Sequence, residues 1–107
     1  MSFQTVCLYP NGDDLQFNIS YYLNNHLPLV QEKFGPLGLE RVEITRFDAN
    51  EDGSEPLYIL QAILNWKSQE SMRKAMSSPD VGTVFRDLSN FCNKQPVAMS
   101  GTSKIVN

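Results

Sequence analysis

The sequence predicts an α+β fold of the ferredoxin-like kind, with a four-stranded antiparallel sheet and the element order βαββαβ. Three observations carry this prediction. Four segments alternate in the way strands do, and two intervening regions have helical spacing. The first and third strand segments are apolar on both alternations, as central strands of such a sheet are. The second carries charged and polar residues on one side, as an edge strand does.

The first half of the chain supplies one strand and one helix. Residues 3–9 alternate in the β manner and stop at residues 10–13, Pro-Asn-Gly-Asp, which favour a turn. Residues 19–34 have helical spacing, and Asn18 is a suitable N-cap. Two glycines and a proline at residues 35–38 then end the helix.

The second half supplies the other three strands and a divided helical region. Residues 41–47 form the second strand, an acidic turn-rich loop follows at 48–56, and residues 57–66 form the third strand. Residues 68–76 have helical spacing. Ser78-Pro79-Asp80 indicates a new helix start, with proline at the first helical position, so a further helix is predicted over 81–92. Residues 96–106 alternate again as the fourth strand.

Composition is typical of one globular domain spanning residues 1–107. The chain has 41% hydrophobic and 20% charged residues, and a chain of this length can build a core without metal or disulfide staples. A net charge of -3, with scattered Lys and Arg, argues against nucleic acid and anionic membranes as partners. Neither a signal peptide nor a membrane span is indicated, and Cys7 and Cys92 fit buried reduced thiols, so a cytoplasmic location is expected.

One face of the sheet needs a cover that the chain does not supply. Right-handed crossovers place both helical regions on the same side, so the opposite side is left open. The strand positions predicted to face that side are apolar: Val6, Leu8, Leu57, Ile59 and Ile63. We therefore expect a homodimer through this sheet face, with an apolar interface on the order of 2,000 Å². The side chains of the third strand on the side of Tyr58 and Trp66 are predicted to face the helices.

His26, the only histidine, is the strongest candidate for chemistry. It continues the apolar stripe of the first helix, three residues after Leu23 and four before Val30, so it points inward. Two interpretations stay open. It is either a core histidine satisfied by one partner, or a general base or proton shuttle, since histidine titrates closest to neutral pH.

Pro28 favours a functional interpretation of its neighbour His26. Within a helix, proline removes the hydrogen bond to the carbonyl of Asn24 and kinks or breaks the chain, and such a place can open toward a cavity. We predict that five aromatic side chains line this cavity: Tyr9, Tyr22, Phe34, Trp66 and Phe85. The alternative is that these side chains only fill the core.

Other chemical signatures are missing from the sequence. It has no glycine-rich phosphate loop and no cluster of cysteine and histidine at metal spacing. The acidic residues of the 48–56 loop do not have the spacing of calcium ligands and indicate a solvated loop. We therefore expect no metal and no cofactor.

The helix that contains His26 resembles a known family. The residues that carry the resemblance are Tyr22-Leu23-Asn24-Asn25-His26-Leu27-Pro28-Leu29-Val30 and the following Gly35-Pro36-Leu37-Gly38-Leu39. Together with the Tyr9-Pro10 end of the first strand and the later Ser78-Pro79-Asp80, they occur in the order of the EthD family of dimeric α+β barrel proteins. The resemblance covers nearly the whole chain.

The resemblance implies a face-to-face homodimer and a pocket between helices and sheet in each subunit. Members of the EthD family are associated with degradation of ethers and other xenobiotics and with aromatic polyketide processing. The larger superfamily includes cofactor-free monooxygenases, isomerases, cyclases and haem-binding enzymes. Tyr22, His26 and Pro28 match the family pattern, whereas Tyr9, Trp66 and Phe85 are inferred from alternation and helical spacing.

Three functions of different classes follow. The first is a metal-free enzyme, an oxygenase, isomerase or dehydratase in type, in which His26 takes or relays a proton from an apolar, aromatic or cyclic substrate. The second is a binding or accessory protein that holds such a molecule without turnover. The third is a haem-binding protein with His26 as axial ligand.

Overall fold

The computed structural model describes residues 2–107, which form one antiparallel sheet with helices on one side of it. The strands are β1 (Ser2–Pro10), β2 (Leu39–Arg46), β3 (Tyr58–Trp66) and β4 (Val97–Ser103). The α-helices are α1 (Ile19–Tyr21), α2 (Leu27–Phe34), α3 (Gln69–Met76) and α4 (Val81–Arg86). A π-helical turn (Tyr22–His26) joins α1 to α2, and 3₁₀ turns cover Gly35–Leu37 and Asp87–Asn90.

The strand order is β2-β3-β1-β4, with every neighbouring pair antiparallel. The predicted α+β, ferredoxin-like class is therefore confirmed, with β1 and β3 in the centre and β2 at an edge. In the register, Cys7 lies opposite Ala62 on β3 and Ala98 on β4. These three residues share the face that the helices cover.

The helical region after β1 is continuous but irregular. The side chain of Asn18 accepts a hydrogen bond from the amide of Tyr21, so the predicted N-cap is present. Pro28 does not break the helix. Instead the chain forms the π-helical turn just before it, in which the amide of Leu27 bonds to the carbonyl of Tyr22, five residues back.

Gly38 makes the connection from this helical region into β2. Its φ of 114° lies in the left-handed region, which favours glycine, and a Cβ there would collide with the side chain of Ser71. Its amide bonds to the carbonyl of Gly35, and its own carbonyl accepts from Lys67 at the start of the α3 segment. A side chain at position 38 would therefore disturb both connections.

Several of the predicted boundaries were wrong, including the end of the fourth strand, which lies at Ser103 rather than at residue 106. The helix predicted over 81–92 ends at Arg86, because Phe91 and Cys92 are drawn toward residues 17–18. Phe17 forms an isolated β-bridge with Cys92, and the amide of Asn18 donates to the carbonyl of Phe91. Ser78 does not cap a helix but donates to the carbonyl of Ala75. Leu57 lies outside β3 and is 80% exposed.

Two clusters of buried residues fill the space between sheet and helices. The first surrounds Tyr22 and contains Tyr9, Leu60 and Phe91; the second surrounds Trp66 and contains Phe34 and Ala75. The two lie side by side along the sheet, with Leu64 packed against both. The candidate site lies between the sheet and the helical region, where the first cluster borders α4.

The opposite face of the sheet carries no helix. One cross-strand row runs from Glu43 through Ile63 and Val6 to Met99, and Met99 is 54% exposed. None of the helices in residues 2–107 is long and apolar enough to cross a membrane.

Candidate functional site

An apolar cavity of about 360 Å³ lies between the sheet and the helices. Its volume falls at the small end of the range of small-molecule sites. The sheet contributes Cys7, Tyr9, Ala62, Leu64 and Ala98, and the first helical region contributes Tyr22, His26, Leu27 and Val30. The remaining wall consists of Val84, Phe85 and Leu88 with Gln95 and Pro96 before β4. Phe85 is 60% exposed, which places it at the rim of the cavity.

The structure brings together four of the six residues predicted from the sequence. His26, Tyr9, Tyr22 and Phe85 line the cavity. Phe34 and Trp66 do not line it.

The other two predicted residues lie in the second buried cluster. The rings of Phe34 and Trp66 pack against each other at 5.9 Å, and the Trp66 indole donates to Thr5 at 2.9 Å. Trp66 is the last residue of β3, two positions beyond Leu64, so it shares the correct face but lies past the end of the cavity. Trp66 is therefore not part of the site because of its position along the strand, and not because of its side-chain type.

His26 is held by a carboxylate that sequence reasoning missed. Its Nδ1 lies 2.9 Å from Oδ2 of Asp87, the first residue of the second 3₁₀ turn. Asp87 also accepts, on Oδ1, from the Tyr21 hydroxyl at 2.6 Å and from the Asn90 amide at 2.9 Å. His26 and Asp87 are 61 positions apart, so no spacing in the sequence joins them.

The ring of His26 packs against two neighbouring aromatic rings in addition to its hydrogen bond at Nδ1. It is 7% exposed, packs on Phe91 with ring centres 4.5 Å apart, and stacks on Tyr22 at 5.7 Å and 19°. Residues 2–107 supply no hydrogen bond to Nε2. The nitrogen on the far side of the ring from Asp87 is therefore left for a molecule in the cavity that His26 lines.

The pKa of His26 is lowered from its ordinary 6.5 because burial penalises the imidazolium, while the hydrogen bond and charge of Asp87 oppose the shift. Burial acts to raise the pKa of Asp87, but hydrogen bonds from Tyr21, Asn90 and His26 together lower it. At neutral pH the site thus holds a neutral imidazole beside an ionised carboxylate. This is the protonation state that a general base needs.

The remaining polar groups of the cavity keep their protons. Burial raises the pKa of the Tyr9 and Tyr22 phenols far above neutral, and burial also raises the pKa of the Cys7 thiol. Tyr9 and Tyr22 lie edge to face with ring centres 5.6 Å apart. Beside the base His26, the cavity therefore offers two protonated phenols, whose side chains also interact with each other.

We expect the stability of the protein to fall as pH drops below about 6.5. The unfolded chain binds a proton at His26 in that range, while the folded chain resists it because the pKa is lowered, so the free energy of unfolding decreases until the folded pKa is passed. Urea unfolding at pH 7.5 and 5.5 measures this loss. Because His26→Gln removes the only histidine, the free energy of unfolding of this variant should change little between the two pH values. An equal loss in the variant would assign the effect to other groups.

The fold and site thus define a ferredoxin-like α+β protein with a histidine-lined apolar cavity. The solved structures of two EthD proteins are similar to it over nearly their whole length. One is an EthD-like protein from Ralstonia eutropha JMP134, with a TM-score of 0.85, 20% identity, and coverage of 94% of this chain and 89% of that one. The other, from Bacillus halodurans C-125, has a TM-score of 0.77, 22% identity and coverage of 97% and 100%.

Two more distant structures share the fold. SnoaB from Streptomyces nogalater, a cofactor-independent oxygenase, has a TM-score of 0.64, 12% identity and coverage of 98% and 93%. A dimeric ferredoxin-like protein of unknown function from Thermobifida fusca YX has a TM-score of 0.58, 11% identity and coverage of 96% and 92%. No family model matches the chain, and no curated protein matches it. The resemblance to EthD proteins expected from the His26 helix is confirmed at the level of the fold.

Proposed function

We propose that this protein belongs to the EthD family and is a metal-free enzyme for a small apolar molecule, with His26 as general base. The observation that carries the proposal is the His26 imidazole on the cavity wall, bonded to Asp87 through Nδ1 and without a protein partner at Nε2 among residues 2–107. Its pKa, lowered by burial, favours the neutral form. An apolar cavity with a few convergent polar groups is the usual form of a small-molecule site.

The geometry supports proton abstraction as the first step. Nε2 of His26 takes a proton from an acidic C–H or O–H bond, and the electron pair of that bond stays on the ligand. The negative charge is then carried by an oxygen of the ligand, which the Tyr9 or Tyr22 hydroxyl can stabilise by donating a hydrogen bond. An aromatic or cyclic ligand with a carbonyl or phenol group fits this arrangement, because the rest of the wall is apolar.

The comparison with SnoaB is consistent with this chemistry. SnoaB is a cofactor-independent oxygenase of the same fold, so the fold can house a reaction that needs no resident cofactor. Cofactor-free oxygenation, isomerisation and dehydration alpha to a carbonyl group can each begin with loss of a proton from the substrate. We therefore place His26 at that shared step.

A paired screen tests the proposal against a purely ligand-binding role. Small aromatic and cyclic ketones and phenols are first ranked by the increase in melting temperature that they cause, since a ligand of the folded state stabilises it. The compounds that bind are then followed for turnover by mass spectrometry. Turnover supports the enzyme, whereas saturable binding without turnover in aerobic and anaerobic buffer would make the protein an accessory binder. A hemin titration followed by absorbance tests the haem alternative.

We also propose that the protein is a homodimer through the open face of the sheet. Val6 and Ile63 lie side by side on the two central strands of that face, and Val97 and Met99 extend the apolar surface along β4. Asn65 on the same face is 7% exposed and accepts from Gln4, but its Nδ2 has no partner within residues 2–107. The Thermobifida fusca protein of this fold is dimeric.

Pro28→Ala should weaken ligand binding if the π-helical turn shapes the cavity. Alanine restores the amide that proline lacks, so residues 22–28 can relax toward a regular α-helix and rotate His26 relative to Tyr22. Calorimetric titration of a compound found in the screen measures the change. Leu29→Ala, one position along and half-buried, is the matched control. Unchanged affinity in Pro28→Ala would reject a shaping role for the turn.

A further inference from the structure

We propose that Asp87 is the positioning residue of the site: it fixes the proton of neutral His26 on Nδ1 and so reserves Nε2 for the ligand, while Tyr21 and Asn90 hold Asp87 in place. This inference rests on the proposed function in assigning a use to Nε2. The assignment of the proton itself needs no substrate and is argued from the hydrogen bonds around Asp87.

The hydrogen bonds around Asp87 leave one arrangement of protons. Oδ2 faces Nδ1 of His26 at 2.9 Å, and Oδ1 accepts from Tyr21 at 2.6 Å and from Asn90 at 2.9 Å. An ionised carboxylate can only accept, so the hydrogen bond to His26 requires the proton to be on Nδ1. The second nitrogen of a neutral imidazole then carries a lone pair.

Two local departures from regular helix converge on this carboxylate. Tyr21 and His26 are five positions apart and would lie about 140° apart around a regular α-helix. The π-helical turn between them brings both to Asp87. On the other side, Asp87 and Asn90 are three positions apart in a 3₁₀ turn, which places side chains at that spacing above one another.

The charges nearby make Asp87 a partner of His26 rather than part of a surface ion pair. The Asp87 side chain is 12% exposed, and the basic side chain that it contacts within the described part of the chain is the imidazole of His26. The other titratable groups that face the imidazole are phenols and a thiol, namely Tyr21 and Tyr22 from the helical region and Tyr9 and Cys7 from β1. No lysine or arginine of residues 2–107 forms an ion pair with Asp87.

Because the chain has one histidine, nitrogen NMR of a ¹⁵N-histidine sample reports on this site alone. At pH 7.5 the wild type should show a protonated Nδ1 and an unprotonated Nε2. Asp87→Asn should shift the proton wholly or partly to Nε2, since the amide can donate to Nδ1. Tyr21→Phe should keep the wild-type tautomer but raise the pKa of Asp87, because one of its donors is lost. Asp80→Asn is the matched control, because it removes an exposed carboxylate that lies near Lys33 of α2. Its nitrogen spectrum should be the same as that of the wild type.

The two proposals fail in different ways. A wild-type spectrum with the proton on Nε2 overturns the positioning role whatever the activity. An Asp87→Asn spectrum identical to that of the wild type overturns it as well. With a substrate in hand, Asp87→Asn should lower kcat by about 100-fold or more with little change in KM, because the base is then in the wrong tautomer. Unchanged kcat in Asp87→Asn, beside lost turnover in His26→Gln, would overturn the role of Asp87 alone. Unchanged turnover in His26→Gln would overturn the base. Should Asp87→Asn not fold, the wild-type spectrum and Tyr21→Phe still decide the tautomer.

Discussion

His26→Gln should lower turnover of any validated substrate by roughly 100- to 10,000-fold, the usual contribution of a general base. Glutamine keeps a polar, hydrogen-bonding side chain of similar reach but cannot take a proton near neutral pH. The ligand should therefore still bind within roughly tenfold, because most of the cavity wall is apolar and unchanged. Single-turnover kinetics separate the two quantities, since they measure the chemical step apart from binding.

A matched control lies next to His26 in the same π-helical turn. Asn25 is exposed, so Asn25→Gln changes a neighbouring side chain without touching the cavity and should leave turnover unchanged. Circular dichroism and the mass in solution show whether each variant is folded and assembled as the wild type is. If His26→Gln unfolds while no chemistry is detected in the wild type, His26 is a core residue held by Asp87 and the base role is wrong.

The sheet was predictable because its signal is local and repeats along each strand. β1 and β3 are apolar on both alternations, the pattern predicted for central strands, and both lie in the centre of the sheet. β2 alternates with Arg41 and Glu43 on one side and lies at the edge. The inward direction of His26 followed from the same kind of periodicity: Tyr22 and Val30, each four residues away, are buried with it, whereas Leu23, three residues before it, is 43% exposed.

The partners of His26 were not predictable in this way. Asp87 lies 61 positions away, at the junction of α4 and a 3₁₀ turn, in a segment whose spacing predicted continuous helix. Trp66 failed for a related reason: alternation predicts which face a strand residue is on but not its distance along the strand from a cavity. Contacts between distant segments depend on packing, and a single sequence contains no periodic signal for them.

Ile63→Asp should convert the proposed homodimer to a monomer. Ile63 lies in the middle of the open face, opposite Val6 on one side and Glu43 on the other. In a two-fold symmetric interface each substitution is buried twice. Leaving a charge buried without a partner costs about 3–5 kcal/mol, so two copies should raise the dimer dissociation constant by about 10,000-fold or more. The monomer itself should tolerate the change, because Ile63 is only partly buried within one chain.

Light scattering coupled to gel filtration at micromolar concentration measures the change. The wild type should have twice the chain mass of 12.1 kDa, and Ile63→Asp should have the chain mass itself. Thr83→Asp adds the same charge at an exposed position of α4, away from the sheet, and should stay dimeric. A wild type with the mass of one chain would reject the dimer. A dimeric Ile63→Asp would move the interface away from the sheet face, since a buried aspartate in the middle of that face would have no partner in its cross-strand row.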